Sequence, residues 1–133
     1  MTINQTLSRA AVTSIGEEIG FELGNQMVRD YQAANKNDVR FYVIGRKIID
    51  QILSQPGCAG IKFYNAYNEL GQKTLVYLGL DEGGKAILKY SCINNLGLME
   101  TNKGIVADRA DRGGPGINTN PGVSADDWTW DVD

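Results

Sequence analysis

Cys58, Cys92 and a scatter of carboxylates are the groups in this chain whose types admit covalent or acid–base chemistry, and no histidine is present to assist them. Without imidazole there is no Ser-His-Asp triad, no Cys-His pair and no usual zinc or iron site. Cys58 follows Pro56 and Gly57 at the mouth of an expected strand, where a thiol could be exposed. Its pKa would have to be lowered by a lysine or a helix N-terminus. The expected helix before it ends there, which brings the wrong end of the dipole. There is no CxxC, so both cysteines read as buried thiols of a reducing compartment. No catalytic residue and no cofactor is expected.

Residues 107–112 double the triplet Ala-Asp-Arg and run into Gly113 and Gly114. Arg109 and Arg112 beside that glycine pair could hold an anion through guanidinium and backbone N–H groups. Equally, Asp108 and Asp111 can neutralise them locally. Asp126, Asp127, Asp131 and Asp133 lack the glycine and terminal glutamate of a calcium loop, and no metal is expected. Tyr64, Tyr67, Tyr77 and Tyr90 fall in predicted strands. Tyr64 and Tyr77 are candidate ligand contacts should one sheet face be aromatic, although such faces more often form ordinary cores.

Gly16, Gly20 and Gly24 recur every fourth residue within a segment whose apolar residues, Ile3 to Tyr31, are also spaced by four. Glycine inside a helix costs roughly 0.8–1.0 kcal/mol against alanine. A row of them on one face would make a groove for another backbone. That groove is expected to receive either the second helix at Gly45 or a second copy of the chain. A strict four-residue repeat drifts on a 3.6-residue helix, so residues 2–34 should form two abutting helices or one bent at Gly16.

The remaining elements follow from period and punctuation. Residues 39–54 place Phe41, Ile44, Gly45, Ile48, Ile49, Ile52 and Leu53 on one helical face, ahead of a stop at Pro56 and Gly57. Residues 60–67, 73–80 and 85–93 read as strands joined by turns at 68–71 and 81–84, with a turn at 94–97 and a short fourth strand at 104–107. The expected fold is α+β, with two or three N-terminal helices on one face of a three- to four-stranded antiparallel meander. The expected domain is 1–112. A Gly/Pro/Asn-rich linker at 113–124 then leads to an acidic segment at 125–133.

That segment alternates Trp128, Trp130 and Val132 with polar residues. Tryptophan is a frequent interface anchor, and a strand of this pattern could add to a sheet edge. The edge could be its own, a neighbouring subunit's or a foreign partner's; the segment could also stay disordered.

The chain has 133 residues, 42% apolar and 22% charged, with a net charge of −3. It is long enough for one domain with a core. Scattered lysines and arginines in an acidic chain argue against nucleic acid. No stretch has the length and apolarity of a membrane span, and residues 1–6 do not predict a secretory signal. The expected setting is cytoplasmic. The function that fits best is non-enzymatic assembly: a homo-oligomer built through the glycine-spaced helix, with the tryptophan segment docked on a neighbour or another protein. The alternative is a small-molecule-binding sensory domain using the tyrosine-bearing sheet face.

Overall fold

The computed structural model describes residues 11–118 and 120–123. Two α-helices, α1 (Phe21–Ala34) and α2 (Arg46–Leu53), accompany seven antiparallel strands. These are β1 (Phe41–Val43), β2 (Gly60–Tyr67), β3 (Lys73–Leu80), β4 (Lys89–Ile93), β5 (Met99–Lys103), β6 (Val106–Ala107) and β7 (Asp111–Gly113). The fold is α+β, but the strands do not form one continuous meander. They form three sheets: β2-β3-β6, β1-β7 and β4-β5.

The centre is β3. Its eight residues pair with all eight of β2, from Lys73 opposite Tyr67 to Leu80 opposite Gly60. Its other edge takes β6 at Tyr77 and Leu78, and bridges to Ala86 at Leu80. Burial on both faces, at Thr74 and Leu78 on one and at Tyr77 and Gly79 on the other, explains why Lys73–Leu80 is apolar on both. Tyr77, Leu78, Ile52 and Ile87 make the core. Helix α2 delivers Ile52, fully buried, to Gly79, where an added Cβ would come within 3.3 Å of it and within 2.9 Å of the Cys58 sulfur. Beside them, buried Gln55 donates to the Ile52 carbonyl (3.0 Å) and accepts from the Ile105 N–H (2.8 Å). A buried amide satisfied at both ends in this way fastens α2 to the segment before β6.

Residues 39–54 are not a single helix. Phe41–Val43 is a strand, held by β7 with Phe41 opposite Gly113. A side chain on Gly113 would collide with the Phe41 ring, 1.9 Å from its tip, so this glycine is required where the ring lies across the partner strand. Gly113, expected to open a linker, is therefore a buried strand residue. The chain beyond it stays attached, with the Asn120 N–H donating to Asp111 (3.1 Å).

Of the helical segment expected over residues 2–34, residues 2–10 lie outside the described residues, and the described part is less helical than expected. A single 3-10 turn at Val12–Ser14 precedes extended chain, and α1 starts only after Gly20. Gly16 and Gly20 have φ of +113° and +83°, values open to glycine and strained for other residues. Gly20 is the N-cap of α1, as Gly45 is of α2. Gly20 and Gly45 mark where the two helices begin, Gly16 lies in the extended chain before α1, and the one-face groove expected from the spacing is not formed.

Candidate functional site

The structure separates most of the residues singled out by the sequence. Gly16 and Gly20 lie outside α1, Gly24 lies in its first turn, and Gly45 caps α2; an added Cβ at Gly16, Gly20 or Gly45 meets nothing within 4 Å. Tyr64 and Tyr77 fall on opposite faces of the β2–β3 ladder, because Tyr64 pairs with Val76 while Tyr77 pairs with Phe63. Tyr77 is a core residue, its ring tilted by 36° against that of Phe63 at a centroid distance of 5.6 Å, with its hydroxyl donating to the Asp108 carbonyl (3.2 Å). Burial raises its pKa. Tyr64 faces outward with the Lys62 ammonium 4.8 Å from its ring centre. They do not share a ligand face.

Arg109 is committed to carboxylates. Its guanidinium grips both oxygens of Glu69, at 3.0 and 2.6 Å, and also reaches Asp108. The local Asp108 pairing expected from the triplet is present, and Glu69, forty residues away, completes it. The hydrogen bond from Arg109 lowers the Glu69 pKa. Arg112 sits in β7 opposite Tyr42. Both cysteines are free and half-buried rather than buried. Cys58 donates to the Gly60 carbonyl (3.4 Å), and the Asn102 amide donates to the Cys92 sulfur (2.9 Å). Trp128, Trp130 and Val132 lie outside the described residues.

Two features stand out in their place. The first is the outer edge of β2. The Asn68 N–H bonds the Gln72 carbonyl (2.8 Å), so in this register the even-numbered residues of β2 exchange hydrogen bonds with β3. Ile61, Phe63, Asn65 and Tyr67 then turn their N–H and C=O groups away from it. Among the described residues nothing pairs with this edge.

The second is a cleft of about 320 Å³ lined by Tyr31 of α1, Tyr42 of β1, Asn65, Ala66 and Tyr67 of β2, and Lys73 and Thr74 of β3. Asp38, in the loop between α1 and β1, organises it. One carboxylate oxygen takes the Lys73 ammonium (2.6 Å) and the Val39 N–H (2.8 Å), and the other takes the Tyr31 hydroxyl (2.5 Å). Hydrogen bonds from Lys73, then Tyr31, then Val39 hold the Asp38 pKa down to about 2. The same carboxylate raises the pKa values of Lys73 and Tyr31. Among the described residues no cluster of His, Cys, Asp or Glu could hold a metal, and no helix is long and apolar enough to cross a membrane.

No family model, curated protein or solved structure matches this chain. Sequence reasoning missed Asp38, Tyr42, Asn65 and Lys73 as a group. It noted Tyr31 only within the apolar spacing and Tyr67 only as a strand tyrosine. These positions meet through the packing of α1, β1 and the β2–β3 hairpin, and no local motif links them.

Proposed function

We propose that this is a non-enzymatic assembly protein of the cytoplasm that pairs with a second copy of itself through the outer edge of β2. The observation that supports this most directly is the edge itself. It is eight residues long, without proline, and unpaired among the described residues. Natural edges are guarded by charge, proline or distortion, and a lightly guarded one is a template for another strand. Lys62 is the one charged residue on it.

A second copy suits this edge. In an antiparallel pairing about a two-fold axis at Tyr64, Ile61 meets Tyr67 of the partner and Phe63 meets Asn65. All four outward-facing residues then bond at once. Lys62 comes opposite Ala66, so no like charges meet. This replaces the glycine groove as the route to self-association. Docking of the tryptophan segment on a neighbouring subunit remains part of the proposal, and it concerns residues outside those described.

The test is mass in solution by light scattering. The chain is expected at twice its 14.5 kDa, with Tyr64→Glu shifting it to the monomer by placing two carboxylates across the axis. Tyr64 is already exposed, so the variant should keep the native circular dichroism. A monomeric parent, or a folded Tyr64→Glu protein that remains dimeric, would refute the pairing.

A further inference from the structure

We propose that the cleft organised by Asp38 is a binding site for a neutral carbohydrate of mono- or disaccharide size. The cleft shares Asn65 and Tyr67 with the outer edge of β2, whereas Tyr64, the residue at the proposed two-fold axis, does not line it.

The hydrogen-bonding state of the cleft narrows the ligand. Both oxygens of Asp38 are already engaged by Lys73, Val39 and Tyr31, so a cationic ligand finds no open counter-charge there. Lys73 has three N–H donors and directs one at Asp38. An anion approaching the ammonium would also meet the Asp38 carboxylate, 2.6 Å from it. The pair is neutral overall, which favours a ligand without net charge. The groups facing the space are mixed: ammonium donors on Lys73, acceptor lone pairs on Tyr31, and an amide on Asn65 that both donates and accepts. A ligand matched to this set must carry donors and acceptors side by side, as vicinal hydroxyls do.

The walls add the second requirement. Three phenol rings line the space, and Tyr67 is 74% exposed. A large aromatic surface left in water contributes little to the fold, but it gives a flat platform to a ligand with an apolar face. A pyranose ring has this character, with C–H groups on a face and hydroxyls around the rim. The volume of about 320 Å³ lies at the small end of ligand pockets, which run from roughly 300 to 1,000 Å³. That limits the occupant to one or two sugar rings.

The test uses the full, isotope-labelled chain titrated with cellobiose, lactose, mannobiose and chitobiose, with benzoate as an anionic control, followed by amide chemical shifts. At least one saccharide should saturably move residues 65–67, 73 and 74 together with Tyr31 and Tyr42. Tyr67→Ala, which removes an exposed ring, should weaken that binding about tenfold, and Asn65→Ala should weaken it as well. The titration is repeated on the Tyr64→Glu variant, which leaves every lining residue in place and should still bind, so that loss of the dimer and loss of the site are read apart. The proposal fails if none of the four saccharides shifts these amides, if benzoate alone does, or if Tyr67→Ala binds as tightly as the parent.

Discussion

Two hairpins of this chain close on nearly the same turn and meet very different fates. In β2–β3 the turn is Asn68-Glu-Leu-Gly71; in β4–β5 it is Asn94-Asn-Leu-Gly97. In each, the asparagine N–H donates across the loop to the carbonyl four residues on, at 2.8 Å. Its side-chain oxygen accepts from the N–H groups two and four residues later, at 2.9 to 3.0 Å. Each glycine has φ near +75°. The local chemistry is shared, and it is sufficient to reverse the chain. What differs is what each ladder packs against. The first is eight pairs long, receives α2, β6 and the bridge at Ala86, and has its turn gripped by Arg109 at Glu69. The second is five pairs long, has asparagine where the first turn has Glu69, sets Lys89 against Lys103, and buries none of its strand residues. A turn specifies a hairpin; only burial gives it stability of its own.

The largest test of this difference substitutes the same residue type in the two environments. Ile52, fully buried beneath β3, should cost about 2–5 kcal/mol when replaced by alanine. Ile93 in β4, 65% exposed, should cost about 0.5 kcal/mol or less. Chemical denaturation of the two variants measures this. Comparable losses would mean that the second hairpin is buried against something, such as another copy of the chain.

Next come the turn glycines. Gly71→Ala and Gly97→Ala each force a left-handed residue, at about 1–2 kcal/mol. Although the local cost is the same, the readout should differ. Gly71 belongs to the cooperative core, so its substitution should lower the global melting temperature. Gly97→Ala should instead accelerate amide exchange within β4–β5 and leave the melting temperature nearly unchanged. Equal shifts in global melting would show that the two hairpins unfold as one unit.

The legibility of the chain divides along the same line. The bounds of β2 and β3, and the turns at 68–71, 81–84 and 94–97, could be read from period and Asx-Gly punctuation, because local geometry decides them. Residues 41–43 could not. Phe41, Ile44 and Ile48 fit a helical stripe, and it is pairing with Asp111–Gly113, seventy residues on, that makes them a strand. The polar sequence of β5, Met-Glu-Thr-Asn-Lys, carries no strand period of its own. Spacing also misread the glycines, since Gly20 and Gly45 are caps, a role glycine shares with the usual capping residues. The candidate cleft was the least legible part, as Asp38 and Lys73 meet only once α1, β1 and the first hairpin have packed.

A smaller effect concerns the tie between the first hairpin and the chain before it. The folded pKa of Asp38, about 2, lies below its ordinary value of 3.8. The tie to Lys73 and Tyr31 therefore stabilises the folded chain above about pH 4 and is lost as the pH falls toward 2. Melting temperature should drop across that window more in the parent than in Asp38→Asn. Parallel acid profiles would mean that this contact adds nothing to stability, in keeping with the modest worth of exposed pairs.

The smallest expected effect lies in the second hairpin. Lys89 and Lys103 are direct cross-strand partners. The register places them in a non-hydrogen-bonded pair, since Gly104 and Leu88 form the bonded pair beside it (2.8 Å), and side chains come closest at such positions. Like charges there oppose pairing, whereas opposite charges contribute roughly 0.2–1 kcal/mol. Lys103→Glu should therefore slow amide exchange in β4–β5, and the gain should shrink as salt screens the new attraction. In the parent, added salt should act the other way and protect the hairpin by screening the repulsion. If neither the substitution nor salt changes exchange in this ladder, the two ammonium groups already diverge into solvent. The weakness of the second hairpin would then come wholly from its missing burial.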